Sequence, residues 1–242
     1  MKEQILNSTA IVTGGAKRIG RSIALALARD GYNIIIHYNR SLKEAKQVEQ
    51  MITKLGRECH LISCDFNNMK QVSLFIHRAF EFFPDCDVLI NNASIFQRAR
   101  LMTTDEEMLD RHLNINFKTP LLLTQEFAQC TSKGHIINIL DTKISRTLIE
   151  YFAYTLSKKA LAEFTKMAAK ELAPNFRVNG VCPGLILPPP GKDDEYLERL
   201  SQNIPLERRG TPDHVVDAVR FLLNNPYITG QSIFVDGGEN LK

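Results

Sequence analysis

Tyr154 and Lys158 are the first pair of residues whose chemistry and spacing suggest a function. Residues four apart share one face of a helix, so the phenol and the ammonium would come close together. A phenol has a pKa near 10, and an ammonium about 4.5 Å away would lower it by roughly 2 to 3 units. Such a tyrosine can donate a proton to a reacting group. The same spacing also occurs on ordinary solvated helices, so other residues must support this interpretation.

A glycine-rich turn, TGGAKRIG at residues 13–20, lies between a strand-like segment and a helical one. Free backbone N–H groups at such a helix start can bind the pyrophosphate of a dinucleotide. A tight strand-to-helix connection with no ligand would look similar. If the turn binds a dinucleotide, the contacts are expected from Gly14, Lys17, Arg18, Ile19 and Gly20.

The end of the second predicted strand indicates which dinucleotide would bind. An NAD enzyme is expected to carry an acidic residue here, which hydrogen-bonds the ribose 2′-hydroxyl. This chain has HYNRS at 37–41 instead, where Arg40 offers a fork of donors and Ser41 a hydroxyl. NADPH is therefore the predicted cofactor. The alternative is a solvated Arg40 and a Ser41 that only caps the next helix. The predicted contacts are His37, Tyr38, Asn39, Arg40 and Ser41.

Several motifs together resemble the short-chain dehydrogenase/reductase family over nearly the whole chain. The turn at 13–20 resembles its T-G-x-x-x-G-x-G motif, residues 91–94 resemble its N-N-A-G segment, and Tyr154 with Lys158 matches its Y-x-x-x-K pair. The resemblance implies a catalytic Tyr154, a Lys158 that also holds the nicotinamide ribose, and a relay water on Asn116, with Asn114 as an alternative. It adds cofactor contacts from Asp65, Asn92, Ala93, Ser94, Pro183 and Gly184.

Three residues depart from the common family pattern. Arg18 replaces a glycine of the turn, Ser94 replaces the last glycine of N-N-A-G, and Asp141 lies 13 residues before Tyr154, where serine is usual. The combination resembles pteridine reductases and dihydromonapterin reductases, in which Phe96 matches an aromatic that stacks on the pterin. The resemblance implies that Asp141 is catalytic, and it implies a substrate site of Arg18, Ser94, Phe96, Asp141 and Tyr154.

The sequence leaves other functions open. Asp141 could begin a turn, with Ser145 as the missing serine. A carbonyl reductase of the 3-oxoacyl carrier-protein type is the main alternative, although serine at 141 and glycine at 18 would then be expected. A non-catalytic NADP sensor would have no need of Tyr154 and Lys158. The favoured prediction is an NADPH-dependent reductase of dihydrobiopterin, dihydromonapterin or dihydrofolate.

The elements that must position these residues alternate along the chain. Strand-like and helical segments follow one another, which predicts an α/β fold: a single doubly wound Rossmann-type domain, 1–242, with a seven-stranded parallel sheet. A loop at 187–194, rich in proline and charge, precedes a short helix and is a candidate lid. The strands are predicted at 9–13, 33–38, 59–63, 87–91, 135–140, 177–182 and 231–235, and the helices at about 20–30, 42–55, 68–83, 105–130, 153–173 and 212–224.

Composition limits the classes of partner. The net charge is +3 and the basic residues are scattered, which argues against nucleic acid. The apolar stretches are shorter than the roughly 18 residues of a membrane span, residues 1–4 leave no room for a signal peptide, and the cytoplasm is expected. No metal site is predicted. By analogy with the family, the helices at 105–130 and 153–173 would pack a homotetramer around a small-molecule site.

Overall fold

The computed structural model of the chain describes residues 8–189 and 191–241. In this part of the chain the strands are β1 (Thr9–Val12), β2 (Asn33–Tyr38), β3 (Cys59–Ser63), β4 (Cys86–Asn91), β5 (Gly134–Ile139), β6 (Phe176–Pro183) and β7 (Ser232–Val235). They form one sheet in the order β3-β2-β1-β4-β5-β6-β7, and every neighbouring pair is parallel. The predicted Rossmann-type sheet is confirmed.

Helices connect the strands and cover both faces of the sheet. They are α1 (Arg18–Arg29), α2 (Leu42–Lys54), α3 (Met69–Phe82), α4 (Glu106–Leu113), α5 (Thr119–Cys130), α6 (Phe152–Leu172), α7 (Asp194–Ser201) and α8 (Pro212–Asn224). The short helix expected after the proline-rich loop is α7. Gly31 follows α1 with φ of 106°, a conformation that favours glycine and ends the helix.

The sheet is buried on both sides because its strands are apolar at successive positions. On one face, Val12, Ile36 and Ile90 pack under α1, α2 and α8. On the other, Ile11, Ile35 and Leu89 pack with residues of α3, α5 and α6. A strand that alternates between two apolar layers reads as a continuous hydrophobic run, which is the pattern seen in the sequence.

The predicted helix at 105–130 is interrupted. Residues Asn114–Lys118 form a π-helical turn between α4 and α5. Pro120, in the first turn of α5, has no backbone N–H to donate to the carbonyl four residues earlier, which is that of Asn116. Asn116, which lies within this turn, is fully buried.

The helices contain no segment, within residues 8–189 and 191–241, that is long and apolar enough to cross a membrane. The prediction about residues 1–4 lies outside the described residues. The domain limits and the homotetramer stay predictions.

Two histidines are buried in the sheet, and burial keeps both neutral. His37 of β2 is 3% exposed and His135 of β5 is 5% exposed. Burial lowers the pKa of His37 from 6.5 to about 4, and burial followed by the charge of Arg177 lowers the pKa of His135 to about 3. In the unfolded chain both imidazoles would bind protons near pH 6.5.

The free energy of unfolding should therefore fall as the pH decreases from about 6.5 towards 4, because only the unfolded state takes up these protons in that window. The expected slope is about 1.4 kcal/mol per pH unit for each histidine. Urea unfolding at pH 7.5, 6 and 5 measures it. His37→Gln should reduce the slope. Equal slopes in the wild type and His37→Gln would contradict the assignment.

Candidate active site

The glycine-rich turn is joined to the end of β4 by a set of short hydrogen bonds. The Thr13 hydroxyl accepts from the backbone N–H groups of Asn92 at 2.8 Å and Ala93 at 3.0 Å. The Asn92 amide donates to the carbonyl of Thr13 at 2.8 Å. A Cβ at Gly20 would lie 2.4 Å from this amide, so only glycine fits there. The two motifs therefore form one structural unit.

Arg18 begins α1 in an unusual backbone conformation. Its φ is 55°, in the left-handed region where glycine is favoured and other residues are strained by about 1 to 3 kcal/mol. The position therefore suits the glycine of the common family motif. The Arg18 guanidinium donates to the carbonyl of Leu187 at 3.4 Å, across the cleft.

The start of α1 can hold an anion. Lys17 is its N-cap residue and provides no side-chain cap, and the first turn carries no acidic residue. The backbone N–H groups of this turn are thus available to a phosphate. The Lys17 ammonium lies 2.7 Å from the carboxylate of Glu44.

His37 lies beneath the turn. Its Nδ1 accepts from the N–H of Gly14 at 3.0 Å and its Nε2 is 2.9 Å from the carbonyl of Cys64. With its ring stacked on Phe66, His37 supports the turn from below. The structure thus places it in a supporting position, although it was predicted as a cofactor contact.

Hydrogen-bond donors at the end of β2 are available to a ligand. Arg40 is exposed, and Ser41 caps α2 without a side-chain hydrogen bond. Tyr38 is half-buried at the end of the strand. Asn39 donates to Asp65 at 3.3 Å, which occupies one oxygen of that carboxylate.

Tyr154 and Asp141 form the closest pair in the cleft. The Tyr154 hydroxyl donates to Asp141 Oδ2 at 2.5 Å. Asp141 Oδ1 accepts from the backbone N–H of Lys143 at 2.8 Å and lies 3.5 Å from its ammonium. Ser145, the alternative, instead donates to the carbonyl of Thr142 at 2.8 Å. Asp141 is therefore the side chain that faces the tyrosine.

The expectation that the pKa of Tyr154 is lowered is wrong. Burial first, and then the carboxylate of Asp141, raise the pKa of Tyr154 well above its usual value of 10. The Lys158 ammonium lies 5.9 Å from the centre of the Tyr154 ring and donates to the carbonyl of Ile139 at 2.7 Å. Burial lowers the pKa of Lys158 to about 8. The helical spacing does bring Lys158 near Tyr154. Asp141, which follows β5, places its carboxylate closer to the phenol.

Asn116 links the segment that follows β4 to α6. Its oxygen accepts from the Ser94 hydroxyl at 3.1 Å and from the N–H of Ile95 at 2.9 Å. Its amide nitrogen donates to the hydroxyl of Ser157 at 3.1 Å. Asn114, the alternative, lies at 3.5 Å from Asn67 instead.

An aromatic wall borders Tyr154. Phe96 is 37% exposed, stacks on Tyr151 at 4.3 Å and meets the edge of Tyr154 at 4.7 Å. Its exposed fraction shows that Phe96 is not a core residue. The cleft has a volume of about 700 Å³, enough for a nicotinamide and a second flat ring. Its lining includes the predicted residues Gly14, Lys17, Arg18, Ile19, Gly20, Asn92, Ala93, Ser94, Phe96, Asp141, Tyr154, Lys158, Pro183 and Gly184.

The segments after β6 and β7 complete the cleft. A Cβ at Gly184 would lie 2.7 Å from Asp236, so the two segments approach closely. Asp236 accepts from the Thr142 hydroxyl at 2.5 Å, beside Asp141. Leu187, Pro189 and residues of α7 also line the cleft, while Pro190 of the 187–194 loop lies outside the described residues. Closure of this loop stays a prediction.

Several residues that line the cleft are not predicted by the sequence patterns. Tyr151 precedes Tyr154 by three residues, so the pair of tyrosines at helical spacing was an available signal. Lys143 and Arg111 carried no such signal, because only the folded chain brings them to the cleft.

Comparisons with known proteins agree with this geometry. Residues 14–240 match a family model described as enoyl-(acyl carrier protein) reductase. The 3-oxoacyl-(acyl-carrier-protein) reductase FabG of Staphylococcus epidermidis is 33% identical, covering 96% of this chain and 99% of that protein. The FabG of Staphylococcus aureus is also 33% identical, with coverage of 96% and 98%.

Solved structures match the fold closely. FolM Alternative dihydrofolate reductase 1 from Brucella canis, complexed with NADP, is 34% identical with a TM-score of 0.94, covering 98% of this chain and 96% of that one. A blue fluorescent protein from a metagenomic library, in complex with NADPH, is 31% identical with a TM-score of 0.91, covering 97% and 98%. With the glycine-rich turn, the asparagine segment and the Tyr154–Lys158 pair in one cleft, this chain belongs to the short-chain dehydrogenase/reductase family.

Proposed function

We propose that the protein is a reductase that uses NADPH to reduce a pteridine. The observation that carries the substrate class is the hydrogen bond of 2.5 Å from Tyr154 to the carboxylate of Asp141, beside the open ring of Phe96. A proton donor, an acceptor carboxylate and an aromatic face suit a flat heterocycle rich in nitrogen. The likeness to FolM from Brucella canis, at 34% identity, supports the same substrate class.

The choice of NADPH rests on the open end of β2. Arg40 and Ser41 present donors that no described side chain occupies, at the start of α2, where Ser41 forms no side-chain capping hydrogen bond. The carboxylate of Glu44, in the first turn of α2, is paired with Lys17. A 2′-phosphate would therefore meet donors and a positive charge at this end of the cleft. NADP and NADPH are the ligands of the two solved structures described above.

Bound NADPH supplies the hydride for a C=N bond, and the protein supplies the proton. A tyrosine phenol is protonated at neutral pH, which is the form that a proton donor needs, and burial with the carboxylate of Asp141 shifts the pKa of Tyr154 further upward. Its proton can go to the ring nitrogen next to the carbon that is reduced. Lys158, buried 5.9 Å from the ring, then stabilises the phenolate. Asp141 accepts hydrogen bonds from N–H groups elsewhere on the heterocycle.

Carbonyl reduction is the second candidate, and the 33% identity to FabG favours it. The carboxylate of Asp141 counts against it. A ketone oxygen offers only lone pairs, so an ionised carboxylate at this point repels it and donates no hydrogen bond. A pteridine, in contrast, presents N–H donors that a carboxylate can accept.

Initial rates of NADPH oxidation test the substrate class. The wild type should reduce dihydrobiopterin, dihydromonapterin or dihydrofolate faster than an acetoacetyl thioester. Asp141→Ser should lose pterin reduction, because the acceptor for the heterocycle is removed, and Asp141→Asn is the matched control for the charge alone. Faster reduction of the thioester, or pterin rates that do not respond to Asp141→Ser, would overturn the assignment.

Cofactor selectivity is measured by titration with NADPH and NADH. NADPH should bind much more tightly, and Arg40→Ala should narrow the preference by about one to two orders of magnitude, since a charge-assisted hydrogen bond contributes about 1.5 to 3 kcal/mol. Arg29→Ala, at the exposed far end of α1, is the control. Equal binding of both cofactors by the wild type would refute the proposal.

The role of Tyr154 is tested by Tyr154→Phe, which keeps the ring and removes the acidic hydroxyl. Turnover should fall by about 100-fold or more, while NADPH affinity stays within about twofold. Tyr151→Phe retains the stacked ring and should keep its activity, which makes it the matched control. Full activity of Tyr154→Phe would assign the proton donor to another group, with Asp141 the next candidate.

A further inference from the structure

Arg111 is a cation in the cleft that has no partner in the described part of the chain. It lies on α4, is half-buried, and lines the cleft together with Phe96 and Tyr151. Among residues 8–189 and 191–241, no carboxylate lies within 4.0 Å of its guanidinium, and no acceptor forms a hydrogen bond with it. A half-buried guanidinium has lost part of its hydration, so an anion that binds it gains more than it would at an exposed arginine.

Within the residues that the structure covers, Arg111 forms no ion pair along α4, although the sequence provides a suitable partner. Glu107 precedes Arg111 by four residues, the spacing and order that favour a surface pair on a helix. The two side chains do not come within ion-pair distance in the described structure. The side chain of Arg111 is turned to the cleft instead.

Arg111 is carried by a helix that packs against the catalytic helix. Helix α4 packs against α6, which carries Tyr154, while the phosphate turn leads into α1. Lys143 adds a second cation near the aromatic wall, with its ammonium 5.9 Å from the centre of the Phe96 ring. Gln97, which follows Phe96 in the chain, also lines the cleft, and among the residues that the structure describes no donor forms a hydrogen bond with its buried side-chain oxygen. Polar groups of a ligand would find both a guanidinium and an unused acceptor here.

We infer that Arg111 binds a carboxylate on the substituent of the substrate, so that the cleft selects a pteridine with an anionic side chain, as in a folate, over one with a neutral side chain. This inference rests on the proposed function and makes it more specific. A guanidinium presents parallel N–H donors that match the two oxygens of a carboxylate, which a neutral hydroxylated side chain cannot match.

Steady-state kinetics with two substrates test the inference. Dihydrofolate carries carboxylates and dihydrobiopterin does not. Arg111→Gln should raise the KM for dihydrofolate by about 10- to 100-fold with little change in kcat, and should leave the KM for dihydrobiopterin unchanged. Arg111→Lys should restore part of the dihydrofolate affinity. Arg100→Gln, an exposed arginine outside the cleft lining, is the matched control.

Binding of the isolated side chain separates this inference from the proposed function. In calorimetry with the NADP-loaded protein, p-aminobenzoyl-glutamate should bind the wild type and lose its affinity in Arg111→Gln. This binding result does not depend on turnover. If the protein binds the probe but reduces no pterin, the proposed function is wrong and the role of Arg111 is still supported. Equal binding of the probe by the wild type and Arg111→Gln would overturn the role of Arg111. Equal changes in KM for both substrates would also overturn it, because they indicate a structural defect.

Discussion

The cleft depends on the hydrogen bonds that join Thr13 at the end of β1 to Asn92 after β4. These strands are neighbours from which the chain proceeds in opposite directions across the sheet, so their ends leave a crevice. The Thr13 hydroxyl accepts two backbone N–H groups, and the Asn92 amide returns a bond to the Thr13 carbonyl. The amide occupies the space that a side chain at Gly20 would need. The glycines and asparagines of the two motifs therefore belong to one structural unit.

Burial determines the protonation of the two catalytic side chains in the cleft. Tyr154 and Lys158 are 5% and 3% exposed, so burial disfavours the charged form of each. For Tyr154 the carboxylate of Asp141 acts in the same direction, and for Lys158 it opposes burial. The result is a phenol that retains its proton beside an ammonium that keeps most of its charge near neutral pH. A protonated donor next to a cation is the arrangement needed to deliver a proton and then stabilise the phenolate.

The position of Asp141 is itself determined from a distance. The 3-10 turn Thr142–Ser145 that follows it is held by the C-terminal segment, through Thr142 to Asp236 at 2.5 Å and Arg146 to Glu239 at 2.7 Å. The backbone N–H of Lys143 fixes one carboxylate oxygen, which leaves the other for Tyr154. Residues nearly a hundred positions apart thus decide how the central carboxylate is oriented.

Much of the fold and part of the active site could be predicted from the sequence. Strands buried on both faces appear as apolar runs, so β2 and β3 were predicted with their observed bounds. The π-helical turn around Asn116 was not predicted, since the hydrophobic period continues through it and only Pro120 marks the change. His37 was predicted as a cofactor contact because of its place at the strand end, but its neighbours Gly14 and Cys64 occupy both ring nitrogens.

The sequence by itself determined the alternation of strands and helices, the glycine-rich turn, and the identities of Tyr154, Lys158 and Asp141, because these are properties of residue type and local spacing. The tertiary structure decided which charges act on which groups. Lys158 is four residues from Tyr154 yet donates to Ile139, whereas Asp141, from another element, contacts the phenol. Arg111 is likewise four residues from Glu107 but lines the cleft. Electrostatic energies depend on distance and burial in space, which local spacing does not specify.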